Sequence, residues 1–66
     1  MKERGEIYFN HINNLYYVIT NHINDRKVRC MIFDGYNTDH KYINSEIVNY
    51  DDLDNENKYY QVGGIY

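Results

Sequence analysis

Apolar and polar residues alternate in short runs separated by asparagine-rich breaks, the pattern of a small antiparallel β protein. Across residues 5–33 the chain reads GEIYFN, HINN, LYYVITN, HINDRK and VRCMIF. Each apolar piece is about one strand long, and each break is about one turn long. Ile7 and Phe9 alternate with Tyr8 and Asn10, and Leu15, Tyr17 and Ile19 alternate with Tyr16, Val18 and Thr20. Val28, Cys30 and Ile32 alternate with Arg29, Met31 and Phe33. This third run is apolar on both faces toward its end, which predicts a position inside a sheet.

Two registers compete for the first hairpin, since Asn13-Asn14 is a turn signal that tolerates positive φ. A two-residue loop opposes Ile12 to Leu15 and sets Ile7 and Phe9 on one face with Val18 and Thr20. A three-residue loop, 12–14, opposes His11 to Leu15 and gathers Ile7, Phe9, Leu15, Tyr17 and Ile19. A slip of one residue exchanges the faces, and the better apolar grouping favours the three-residue loop, with Asn14 left-handed. The expected core is then Ile7, Phe9, Leu15, Tyr17, Ile19, Val28, Cys30 and Ile32, with Tyr8, Tyr16 and Arg29 outside.

Residues 21–26 read as a second turn, and Asp34-Gly35 opens a third that runs to Asp39. A fourth strand starts at Lys41. The β-branched pair Ile47-Val48 favours its continuation to Val48. The alternative is a short helix capped by Ser45 and ending near Leu53. Residues 51–58 form an acidic loop anchored by Leu53. A last strand spans 58–62, and Gly63-Gly64 lets the chain bend before Ile65-Tyr66. The fold class expected is all-β or mainly β: one domain over 1–66, a meander of four to five strands closing into a small barrel, since closure removes exposed edges.

A chain of 66 residues buries only roughly 60 % of its unfolded surface, so it acts by presenting a surface rather than a deep cleft. Seven Lys and Arg against ten Asp and Glu give a net charge of −3. That balance argues against a non-specific nucleic-acid coat and against a polybasic membrane patch, and it suits a basic protein partner. The single cysteine, Cys30, reads as a core residue in a reducing compartment. No apolar run approaches the ~18 residues that span a bilayer, and residues 1–6 lack a signal-peptide core, so a cytoplasmic protein with no membrane partner is expected. The chain has nine tyrosines and no proline or tryptophan. Together with its Asn, Ile and Asp content, this is a mixture that an AT-rich genome favours.

His11, His22 and His40 fall in or beside turns, too far apart for a zinc site that needs three or four ligands at defined spacing. The acids Asp51, Asp52, Asp54 and Glu56 lack the glycine and ligand series of an EF-hand, and nothing signals an apolar pocket for a catalytic carboxyl pair. They form either a solvated loop or, extended by Asp39 and Glu46, a surface that imitates nucleic-acid phosphates. Tyr8, Tyr16, Tyr36, Tyr42, Tyr50, Tyr59, Tyr60 and Tyr66 exceed what so small a core can hold, and exposed tyrosine suits interfaces. Gly63-Gly64 lacks the Lys-Ser/Thr of a phosphate loop. No nucleophile and base are placed together, so neither an enzyme nor a cofactor is expected. The reading is a protein-binding module whose contact residues are Tyr8, Tyr16, Tyr50, Asp51, Asp52, Asp54, Glu56 and Tyr59. Two alternatives stand beside it: single-stranded nucleic-acid binding by tyrosine stacking with Arg26, Lys27 and Arg29, and a homo-oligomer that buries its tyrosines.

The opening GEIYFNHINNLYYVI resembles the first hairpin of small SH3-like β-barrel proteins, a Gly-led strand turning into a Tyr-Val-Ile strand. The closing YYQVGGIY is similar to the end of YopX-type phage proteins. Together these stretches cover about a third of the chain, and they carry over no functional residue. The resemblance implies an SH3-like barrel of phage or mobile-element origin, and with that origin the expected partner is a host nucleic-acid enzyme or defence protein blocked by charge mimicry.

Overall fold

The computed structural model describes residues 2–36 and 39–64. Its strands are β1 (Ile7–Asn10), β2 (Leu15–His22), β3 (Lys27–Asp34), β4 (Tyr42–Asn49) and β5 (Tyr59–Gly63), with a one-turn helix α1 (Tyr50–Leu53) between the last two. All pairings are antiparallel, in the order β4-β3-β2-β1-β5. The first four strands are a meander, and β5 returns across the sheet to lie beside β1. The mainly β fold is as expected. The sheet keeps two edges, β4 and β5, and is not closed into a barrel. Met1, the Asn37-Thr38 part of the third turn, and Ile65-Tyr66 lie outside the described residues.

The first hairpin departs from the expected register. Asn10 pairs with Leu15, Phe9 with Tyr16, Tyr8 with Tyr17 and Ile7 with Val18, so the loop has four residues, 11–14. Asn10 makes this loop. Its Oδ1 accepts the N–H groups of Ile12 at 2.9 Å and Asn13 at 3.2 Å, and its carbonyl accepts that of Asn14 at 2.8 Å. A buried asparagine must have such partners, and here it obtains them by folding the turn around itself. Asn14 takes the expected left-handed conformation, with φ 62°.

This one-residue difference exchanges the faces of β1. Tyr8 and Asn10 point inward with Tyr17 and Ile19, while Ile7 and Phe9 point outward with Tyr16 and Val18. Tyr8, expected outside, is 4 % exposed, and Ile7 and Phe9, expected in the core, are only half-buried. Apolar grouping does not choose the register here, because a tyrosine ring covers as much surface as Ile or Phe, provided its hydroxyl reaches a polar rim. Tyr8 donates to Glu6 Oε1 at 3.0 Å, and the Tyr17 hydroxyl accepts from Asn13 Nδ2 at 3.2 Å.

The core is Tyr8, Tyr17, Ile19, Val28, Cys30, Ile32, Val48, Leu53 and Tyr59, with Leu15 and Tyr50 packed against it. Both readings of residues 45–53 are partly realised. The strand runs on through Val48 to Asn49, and one helical turn follows. Ser45 is paired with Met31 in mid-strand rather than capping a helix, and α1 drops Leu53 into the core as its anchor. Tyr17 and Tyr59 then meet edge-on over β1, their ring centroids 5.2 Å apart. Gly35 is required where the third turn crosses the first. Its N–H donates to the Asn14 carbonyl at 3.0 Å, and a Cβ there would collide with that same oxygen.

Candidate functional site

Strand registers bring one aromatic ring from every strand into a single row. Tyr60 on β5 faces Phe9 on β1, Phe9 faces Tyr16 on β2, Tyr16 faces Phe33 on β3, and Phe33 faces Tyr42 on β4. The row lies on the side of the sheet turned away from the core. Phe9 and Tyr16 are 4.9 Å apart, Phe33 and Tyr42 5.8 Å, and two turn histidines extend the row: His11 stacks on Tyr60 at 4.7 Å and His40 meets Tyr16 edge-on at 4.9 Å. Beside it, Ile7, Tyr16, Val18, Phe33, His40 and Val62 line a shallow hollow. Tyr42 and Tyr60 are half exposed. Cross-strand aromatic pairs stabilise a sheet by themselves; here Phe9, Tyr16 and Phe33 are half-buried, and the end rings Tyr42 and Tyr60 leave surface uncovered.

Charge is divided between the two sides. By strand alternation the outer face carries Lys27 and Arg29 beside apolar, hydroxyl and amide residues, and among the described residues no carboxylate. Asp51, Asp52, Asp54 and Glu56 collect on α1 and the turn after it. Two of these acids are spoken for within the chain: Asp52 accepts from Lys58 Nζ at 3.0 Å and Asp54 pairs with Lys2. Among the described residues no ion pair involves Asp51 or Glu56.

Of the eight expected contact residues, Tyr8, Asp54, Glu56 and Tyr59 line one hollow, and Tyr16 lies on the opposite face. Tyr8 and Tyr59 are core residues, 4 % and 5 % exposed, which corrects their expected exposure. Tyr50 is half-buried against the core, edge-on to His22 at 6.2 Å. Tyr16 lies in the outer row, across the sheet from the acids. Phe9, Phe33, Tyr42 and Tyr60 carry most of that row, and the expected contact set left them out. Every strand holds at least one aromatic residue, but which of them share a row is visible only once the hairpin register is known.

Burial sets the titration of the inward groups. It pushes the Cys30 thiol up to about 11, with the nearby Glu46 carboxylate adding to the effect. Tyr59 is raised further, chiefly by burial beside Tyr17 and Asp52. Lys2 is raised although burial opposes it, because the hydrogen bonds to Asp54 and Tyr8 outweigh desolvation. Cys30 is therefore a neutral packing group at physiological pH. Among the described residues no three His, Cys, Asp or Glu side chains gather as a metal site, and no helix is long and apolar enough to cross a membrane.

No protein-family model, curated protein or solved structure matches this chain.

Proposed function

We propose that the chain is a protein-binding module whose contact surface is the outer face of its sheet, centred on Phe9, Tyr16, Phe33, Tyr42 and Tyr60. The single observation that carries this reading is the in-register aromatic row. Rings with few rotors lose little entropy when a partner covers them, and interfaces are enriched in them. An apolar surface spanning all five strands is also larger than scattered exposed residues would make. The acidic side, expected from the sequence to dock on a basic nucleic-acid enzyme, is the weaker surface, because Asp52 and Asp54 are paired internally. An SH3-like curl of the sheet is part of the proposal, supported by the contacts of α1 with both β4 and β5.

A second reading, single-stranded nucleic acid on the same rings, is favoured by one observation: the outer face carries Lys27 and Arg29 and, among the described residues, no carboxylate. Base stacking on such rings would add affinity, and the cations would make it fall steeply with salt.

The test compares photo-crosslinked partner capture by three proteins: wild type, a Tyr16→Ser/Tyr42→Ser/Tyr60→Ser variant, and an Asp51→Asn/Glu56→Gln variant. Capture of a protein by the wild type and the acidic variant, with loss in the aromatic variant, supports the proposal. Loss only in the acidic variant moves the contact to α1. Salt-sensitive gel shift of a single-stranded oligonucleotide, with no protein captured, selects the second reading.

A further inference from the structure

The two edges of the sheet are unequal. β5 is five residues long and ends at Gly63, features that blunt an edge, while a register shift occurs on both edges, between β5 and β1 and, at Ile43, between β4 and β3. β4 is eight residues long and pairs only with β3, and every residue but Val48 is exposed. It holds no proline and one charge, Glu46, and two of its isoleucines stand open to solvent, Ile43 at 49 % and Ile47 at 52 %. An edge this long, with outward N–H and C=O groups at alternate residues, is a template for another strand.

The sequence of the edge selects the strand that fits. Residues 43–47 read Ile-Asn-Ser-Glu-Ile, apolar at both ends and symmetric about Ser45. An antiparallel second copy centred on Ser45 places Ile43 across from Ile47 twice, and Asn44 across from Glu46 twice. The first pair joins β-branched side chains on one face, and the second gives each carboxylate an amide donor on the other. Centring on Glu46 would instead oppose two like charges, and centring on Asn44 would face each Ile43 with Ser45.

We propose that this protein dimerises through β4, two copies joining edge to edge about a two-fold axis at Ser45 to form one continuous ten-stranded sheet. A contact of five residues per strand is smaller than the ~1,600 Å² of a standard interface, so the dimer is a dissociable one. It leaves the aromatic row of each copy open, and it is independent of what binds there.

Sedimentation equilibrium of the full chain, loaded up to about 1 mM, tests the association. Charge substitutions test the register. Ile43→Lys alone and Ile47→Glu alone should each weaken the wild-type dimer by about tenfold or more. Mixing the two variants should restore it, because the two substituted positions face one another. Both side chains are half exposed, and circular dichroism of each variant should match wild type. A monomer at the highest concentration overturns the proposal. So does a dimer that both variants leave intact, or a mixture that associates no better than either variant alone.

Discussion

Phe9 stands directly across from Tyr16, ring centroids 4.9 Å apart, on the side of the sheet that faces away from the core. Its neighbour Tyr8 stands across from Tyr17 on the inner side, 4 % exposed. A phenylalanine outside and a tyrosine inside reverses what hydrophobicity alone prescribes. Stability measurements can read this inversion directly. Phe9→Ala should cost about 1 kcal/mol, the scale of a cross-strand pair. Tyr17→Ala or Tyr59→Ala should cost about 3–4 kcal/mol, the scale of a large ring lost from a core. Urea unfolding of the three variants checks the order, and equal costs at Phe9 and Tyr17 would contradict the assigned faces.

The four-residue loop rests on Asn10, so its side chain should matter more than its size suggests. Asn10→Ala leaves two loop N–H groups, of Ile12 and Asn13, without their acceptor and should lower stability by about 2 kcal/mol. Asn14→Ala, at φ 62°, should lower it by about 1 kcal/mol, and Asn14→Gly should change it by less than about 0.5 kcal/mol. Gly35→Ala should cost about 1–3 kcal/mol, because the added methyl meets the Asn14 carbonyl, a backbone group that cannot turn aside. Denaturant midpoints at constant slope measure all four.

Cys30 and pH give a signed prediction. Its thiol titrates near 9 when unfolded and is pushed up to about 11 in the fold, first by burial and then by Glu46. Between those values the unfolded chain holds fewer protons than the native one, so stability falls as pH rises. The thiol's contribution is fully present below pH 9 and is lost as pH climbs through about 11. Tyr59, raised from its ordinary value by burial, acts in the same direction at higher pH. Unfolding curves at pH 8 and pH 10.5 should differ less in Cys30→Ala than in wild type. Thiol-reactive reagent at pH 8 should label Cys30 only on unfolding.

The ion pair on the acidic side should contribute little. Lys58 and Asp52 are substantially exposed, and exposed pairs are typically worth under about 1 kcal/mol. Lys58→Met should therefore shift the unfolding midpoint only slightly, and the shift should shrink further in high salt. A large loss would mean that the turn after α1 depends on this pair.

The strands were legible along the chain because alternation and asparagine breaks are local properties. The runs at 7–10 and 28–33 and the positive φ of Asn14 needed nothing beyond neighbouring residues. Cys30 and Ile32 could be placed in the core for the same reason, since one interior strand buries them whatever its partners do. The face of β1 could not be read this way. It depends on a loop length set by the Asn10 side chain, and two registers one residue apart look equally regular along the chain. The exposure of the aromatic residues depends on that same face. Placing Phe9 inward broke the aromatic row that Tyr60, Tyr16, Phe33 and Tyr42 complete, and treating Tyr8 and Tyr59 as exposed put core rings into the contact set. Sequence by itself determined that the chain runs in short alternating strands and which residues can turn. Only the tertiary structure decided which face of each strand is buried, because that choice belongs to pairings between residues distant in the chain, such as Phe9 with Tyr60.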